Sequence, residues 1–124
     1  MVRTRVALAP LVGLLMAPAA SAATPTLSLN GESYDQARAK IIKLGFQPVR
    51  FVRSEDGCLI DTTCKRYPEL LDCERSSPAR CRFAFTDRSH RKYIVVSTHG
   101  QPRRVDKVTT ATRQERKSWP LIQR

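Results

Sequence analysis

The sequence has little of what catalysis or metal binding commonly requires. It contains only two histidines, His90 and His99, and no C-x-x-C pair among its four cysteines. Without such a pair, both the usual zinc-knuckle spacing and the usual means of activating a thiol are missing. No nucleophile motif, phosphate-cradling glycine loop or histidine metal pair occurs. The sequence therefore predicts no catalytic residue, no metal site and no cofactor.

After residue 22 the sequence also lacks any apolar run of membrane-spanning length. The apolar run at 6–17 is about a dozen residues long, short of the ~20 that span a bilayer. Two arginines precede this run, and Pro18 and then Ala20-Ser21-Ala22 follow it, which is the order found in secretory signal peptides. We expect residues 1–22 to be cleaved after Ala22 and the mature protein to be periplasmic or secreted. The alternative is an uncleaved membrane anchor.

Acidic residues are scarce in the last third of the chain. The mature chain carries a net charge of +9, but residues 23–87 contribute only +1 of it and residues 88–124 contribute +8. Arginine dominates the second segment, and its planar guanidinium suits bidentate contact with carboxylate or phosphate. The predicted anion-binding or partner-binding residues are Arg88, Arg91, Lys92, Arg103, Arg104, Lys107, Arg113, Arg116 and Lys117. A basic solvated face that serves only solubility is the alternative.

The four cysteines, Cys58, Cys64, Cys73 and Cys81, all lie within one short window of the mature chain. An even number of cysteines in a small exported domain predicts two disulfides, with a zinc site as the alternative. Sequential pairing, Cys58–Cys64 with Cys73–Cys81, is favoured because each bond closes a short loop. A nested pairing, Cys58–Cys81 around Cys64–Cys73, stays open. Either way, region 54–81 is predicted to be a disulfide-stapled loop with little regular structure.

The clearest predicted element is a helix over residues 33–44. Ser33 is a good N-cap and Gln36 completes a capping box, while Gly45 stands where a left-handed C-terminal residue is needed. The apolar residues of this segment recur at three- and four-residue steps and predict one buried face. They are Tyr34, Ala37, Ile41 and Leu44.

The rest of the mature chain predicts strands. Residues 46–53 read as a strand with Pro48 at an edge, residues 68–71 as one helical turn, and 81–86 with 93–98 as a hairpin. Residues 105–112 are a candidate last strand. The predicted fold class is α+β, with the N-terminal helix packed on an antiparallel sheet of three to four strands. It forms a single domain over residues 23–112, followed by a basic C-terminal tail over residues 113–124.

Two kinds of hydrolysis are disfavoured. If 92–98 is a strand, the two histidines lie about 30 Å apart, too far to flank one phosphate, and we interpret both as exposed loop residues. A cleft between two carboxylates is equally unexpected in so small a chain. We interpret the loop acids as solvating the loop and pairing with Lys65, Arg66 and Arg75. These acids are Glu55, Asp56, Asp61, Glu69, Asp72 and Glu74.

The leading functional hypothesis is a non-catalytic periplasmic binding domain. Its basic surface would contact an anionic envelope polymer, lipid headgroups or an acidic protein, without specific nucleic-acid binding. The first alternative is an inhibitor or immunity protein that blocks a secreted enzyme with loop 54–81, and the second is a small hydrolase. The segment Trp119-Pro120-Leu121-Ile122 either forms an interfacial membrane foot, packs back onto the domain or is disordered.

Two stretches of the sequence together carry a resemblance to known proteins. One runs from Ser33-Tyr34-Asp35-Gln36-Ala37-Arg38 to Gly45-Phe46-Gln47-Pro48, and the other from Tyr67-Pro68-Glu69 through Cys73 to Cys81-Arg82-Phe83. The combination resembles small exported proteobacterial proteins of unassigned function that have a four-cysteine loop. That resemblance implies a periplasmic domain and no active site to transfer. The helix opening alone is also similar to that of the peptidoglycan-binding PASTA module, which lacks this cysteine loop.

Overall fold

The protein has an α+β fold, as predicted. The computed structural model describes Gly13 and residues 28–53, 63–74 and 79–123. The elements of these residues are α1 (Tyr34–Lys43), β1 (Gln47–Pro48), α2 (Thr63–Arg66), β2 (Leu70–Cys73), β3 (Arg80–Thr86), β4 (Tyr93–His99), β5 (Arg104–Thr110) and α3 (Arg113–Arg116). The predicted signal peptide, apart from Gly13, lies outside the described residues.

Helix α1 begins and ends where the sequence predicts. The Ser33 hydroxyl accepts a hydrogen bond from the Gln36 N–H at 3.3 Å, so the N-cap is confirmed. Gly45 follows the helix with a φ of 98°, in the left-handed region that favours glycine. Of the predicted apolar face, Tyr34, Ala37 and Ile41 are buried, whereas Leu44 is exposed.

The five strands of the described residues form one antiparallel sheet. The strand order is β1-β3-β4-β5, and β2 also pairs with β3. Strands β1 and β2 lie end to end along the same edge of β3, because β1 pairs with its residues 85–86 and β2 with its residues 81–83. The hairpin of β3 and β4 and the last strand β5 are confirmed, and Pro48 lies in an edge strand as expected. The sheet has one strand more than the three to four predicted.

The extra strand overlaps the second half of the segment 68–71 predicted as a helical turn, whose first half does form a turn: the Leu70 N–H donates to the Tyr67 carbonyl at 3.0 Å. Residues 70–73 form β2, and their two leucines point to opposite sides of the sheet: Leu70 packs in one core cluster and Leu71 in the other. Region 54–81 therefore contains regular structure, contrary to the prediction, because β3 offers a free edge for pairing. The predicted strand over 46–53 is shorter than expected, with a regular ladder only at Gln47–Pro48.

The core consists of two clusters, one on each face of the sheet. On the first face, Tyr34 and Ile41 of α1 cover Phe83, Phe85 and Val96. On the second face, Val49, Phe51 and the half-buried Trp119 cover Ala84, Tyr93 and Val95. Alternate residues of β3 and β4 thus face opposite clusters, and both faces of these strands are covered along most of their length, although Arg82 is exposed opposite Ser97.

A disulfide joins Cys73 of β2 to Cys81 of β3, directly across the two strands. This bond confirms one half of the sequential pairing and contradicts the nested one. Cys64 is also disulfide-bonded. Cys58 lies outside the described residues.

The C-terminal segment packs onto the second face of the sheet. After α3, the Val52 N–H donates to the Leu121 carbonyl at 2.7 Å and the Gln123 N–H to the Arg50 carbonyl at 2.6 Å. The Trp119 ring packs edge-on against Phe51, with 5.9 Å between ring centroids. No helix in the described ranges is long and apolar enough to cross a membrane.

Candidate functional site

The turn between β3 and β4 is organised by one carboxylate. Asp87 Oδ1 accepts hydrogen bonds from the backbone N–H groups of Arg91 at 3.0 Å and Lys92 at 3.2 Å, and Oδ2 accepts one from the Ser89 hydroxyl at 2.9 Å. These bonds, led by that of Lys92, lower the pKa of Asp87. The exposed side chains of Arg88, Arg91 and Lys92 have no acidic partner among the described residues.

The cations of α3 lie at the same end of the sheet as this turn. The Arg116 guanidinium lies 4.2 Å from the centroid of the Tyr93 ring, and Tyr93 directly follows Lys92. Arg113 and Lys117 are exposed on either side of Arg116. We call this region the basic end, and its cations are Arg88, Arg91, Lys92, Arg113, Arg116 and Lys117.

The structure places the other three predicted binding residues elsewhere. Arg103 lies at the opposite end of β4, where its Nη2 donates to Thr63 Oγ1 at 2.8 Å. Arg104 Nη1 donates to the Gly31 carbonyl at 3.0 Å. Lys107 is exposed within β5 and pairs in register with Ser97. The nine predicted cations therefore do not form one surface.

A buried charge network lies beneath α1, and the sequence analysis missed it. Glu69, predicted to solvate a loop, is completely buried. Its Oε1 accepts hydrogen bonds from the Tyr34 hydroxyl at 2.7 Å and from Arg38 Nε at 2.5 Å. Burial, with the nearby Glu69, raises the pKa of Tyr34, and the bond to Glu69 raises the pKa of Arg38.

The remaining acid pairs also differ from those predicted. Arg66 pairs with Asp35 on α1, at 3.3 Å between Nη2 and Oδ2. Asp72 accepts from Arg82 Nε at 2.8 Å across the β2–β3 ladder. The predicted partners Glu55, Asp56, Asp61 and Arg75 lie outside the described residues. The predicted ion pairs join residues within one loop, whereas each observed pair joins residues of two different elements. Sequence proximity therefore does not predict them.

An arginine-lined pocket lies next to this network. It has a volume of about 200 Å³ and is lined by residues 33–35, by Arg66 and Tyr67, and by residues 101–103. The Tyr67 hydroxyl donates to Asp35 Oδ1, and the Arg66 guanidinium lies 5.3 Å from the centroid of the Tyr67 ring. Burial and then the bond to Asp35 raise the pKa of Tyr67. We call this site the arginine pocket.

The two histidines lie at opposite ends of β4, as predicted. His90 is exposed in the β3–β4 turn, whereas His99 is the last residue of β4 and its Nδ1 contacts the Asp106 carboxylate. His99 is therefore a strand residue and not the loop residue predicted.

The described residues contain no group of three or more histidine, cysteine or acidic side chains placed to hold a metal ion. No known protein family, curated protein or solved structure matches this chain. The basic end and the arginine pocket are the two candidate sites in the described residues.

Proposed function

We propose that this protein is a non-catalytic, exported binding domain. In this proposal the basic end contacts an anionic envelope component or an acidic protein. The proposed export depends on the signal-peptide pattern of residues 1–22. The disulfide between Cys73 and Cys81 is consistent with an oxidising compartment.

The observation that carries the proposal is that the Asp87 carboxylate bonds to groups of its own turn and not to the side chains of the neighbouring cations. The carboxylate accepts hydrogen bonds from Ser89 and from the backbone of Arg91 and Lys92, so it orders the turn without forming ion pairs with the side chains of the turn's cations. Three solvent-exposed cations on a short, ordered turn form a concentrated positive surface. Such a surface attracts polyanions, and guanidinium groups bind their phosphate or carboxylate groups by paired hydrogen bonds.

Two features support a non-catalytic role. The histidines are separated by the length of β4, so they do not act as an acid–base pair on one substrate group. The buried Glu69 carboxylate is bonded to Tyr34 and Arg38, and no acidic side chain of the described ranges pairs with it across a cleft.

The direct test compares the binding of two double variants. One removes two positive charges from the basic end, and the other removes two positive charges from the opposite end of the sheet. We expect R88Q/R91Q to weaken binding to anionic envelope fractions about thirtyfold, because each of the two cations near an anionic surface contributes about 1 kcal/mol. The matched control is K65Q/R80Q, which removes two exposed cations near the β4–β5 turn. We expect this control to bind like the wild type.

Salt dependence supplies the second readout. Retention of the wild type is expected to fall between about 0.1 M and about 1 M salt, as the Debye length shortens from about 10 Å to about 3 Å. Retention that is unchanged by salt, or equal losses in both double variants, would show that the basic end is not the binding surface. A pull-down that yields one stoichiometric enzyme partner would instead favour the inhibitor hypothesis.

A further inference from the structure

The arginine pocket lies at the opposite end of β4 from the basic end, so it is a separate feature of the molecule. Three elements build it: the start of α1, the end of α2 with Tyr67, and the β4–β5 turn. Its volume of about 200 Å³ lies below the roughly 300–1,000 Å³ of typical ligand pockets. A pocket of this size accepts one small functional group and not a drug-sized ligand.

Two guanidinium groups give the pocket its chemistry. Arg66 is mostly exposed at the rim, where its side chain retains 71% of its accessible surface. Arg103 is half-buried, and both arginines act electrostatically on Tyr67 between them. Arg103 Nη2 is bonded to Thr63, but its Nε is buried without a hydrogen-bond acceptor among the described residues.

The backbone of α1 contributes little to anion binding here. The Tyr34 N–H donates to the Arg103 carbonyl at 3.0 Å, and the Gln36 N–H is capped by Ser33. The charged donors that line the pocket are the side chains of Arg66 and Arg103. Arg66 and Arg103 supply two positive charges and Asp35 one negative charge, which leaves a net charge of +1.

We propose that the arginine pocket binds a single carboxylate group. A carboxylate is planar and carries one negative charge, so it matches both the guanidinium fork and the net charge of the pocket. The carboxylate belongs either to a small free acid or to the C-terminus of a peptide, since the pocket accommodates only the terminal group in both cases. The site is independent of the proposed function of the basic end.

The experiment is an NMR titration of the full mature chain with acetate at constant ionic strength. We expect saturable shifts confined to residues 33–35, 66–67 and 101–103. R66Q is expected to weaken binding about tenfold because a charge-assisted hydrogen-bond pair is lost. R66K, which keeps the charge without the planar fork, is expected to weaken it as well. K65Q changes the neighbouring exposed cation of α2 and serves as the matched control, with unchanged binding.

Further ligands show whether the pocket prefers a carboxylate and which kind of molecule carries it. An acetylated dipeptide with a free C-terminus that binds more tightly than its amidated form supports a peptide source. Equal weak binding of both peptides, with acetate bound, supports a small free acid. The proposal is overturned if acetate shifts do not saturate, if K65Q loses as much as R66Q, or if inorganic phosphate binds more tightly than acetate. Because Arg66 is largely exposed, R66Q is expected to fold, and an unchanged amide spectrum away from the pocket checks this.

Discussion

Glu69 places a carboxylate in the middle of the apolar core, where an unpaired charge is costly. Tyr34 and Arg38, both on α1, donate to the same oxygen of this carboxylate, and Tyr34 also stacks on Phe83 of β3. One side chain of the loop before β2 therefore fixes the position of α1 over the sheet. The arrangement depends on Arg38, because only a cation offsets the buried negative charge.

Replacing Arg38 with methionine tests this dependence. We expect R38M to lower the free energy of unfolding by about 2–3 kcal/mol, somewhat less than for a fully buried pair, because Arg38 is partly exposed and Tyr34 still donates to Glu69. The matched control is K40M on the same helix, which breaks the surface pair with Glu32 and is expected to cost less than about 1 kcal/mol. Urea denaturation measures both variants. Equal losses would show that Glu69 does not require the charge of Arg38.

At the scale of the element, the sequence predicts those helices and strands whose conformation is decided by neighbouring residues. Helix α1 and the β3–β4 hairpin follow from caps, periodicity and a short polar turn, all of which are visible in neighbouring residues. Pro68 favours a helical turn over 68–71, whereas pairing with β3 makes residues 70–71 part of strand β2. The burial of Glu69 likewise does not follow from local patterns, since its partners lie 31 and 35 positions away. No neighbouring residue signals such contacts.

The end of α1 supplies a prediction that concerns the backbone alone. Gly45 has a φ of 98°, and a Cβ added to it would meet no atom within 4 Å. We therefore expect G45A to lower the free energy of unfolding by about 1 kcal/mol through backbone strain, without any steric clash. Asparagine tolerates the left-handed region better than alanine does, so G45N should lose less free energy of unfolding than G45A. Thermal melts of both variants measure the difference. A larger loss for G45N would contradict the assigned strain.

At the scale of the whole molecule, the C-terminal segment packs against the second face of the sheet. Trp119 lies edge-on to Phe51 and to Tyr93, with 5.9 Å and 6.0 Å between ring centroids, and residues 121–123 pair with residues 50–52. The Trp119 side chain is thus part of the core, whereas Leu121 retains 79% of its surface. Of the three expectations for the segment, this packing favours the one in which it packs back onto the domain, because a ring held against Phe51 and Tyr93 does not insert into a lipid surface.

Trp119 is the only tryptophan, so fluorescence reports on this packing directly. We expect vesicles of anionic lipid to leave the emission maximum of the folded protein unchanged even if the basic end binds them, because the ring remains between Phe51 and Tyr93. Urea should shift the emission to longer wavelength as the ring becomes exposed. The double variant W119F/L121W moves the only tryptophan to an exposed position and should emit at longer wavelength in buffer. A blue shift of the wild type on vesicles would mean that Trp119 leaves the core to enter the lipid.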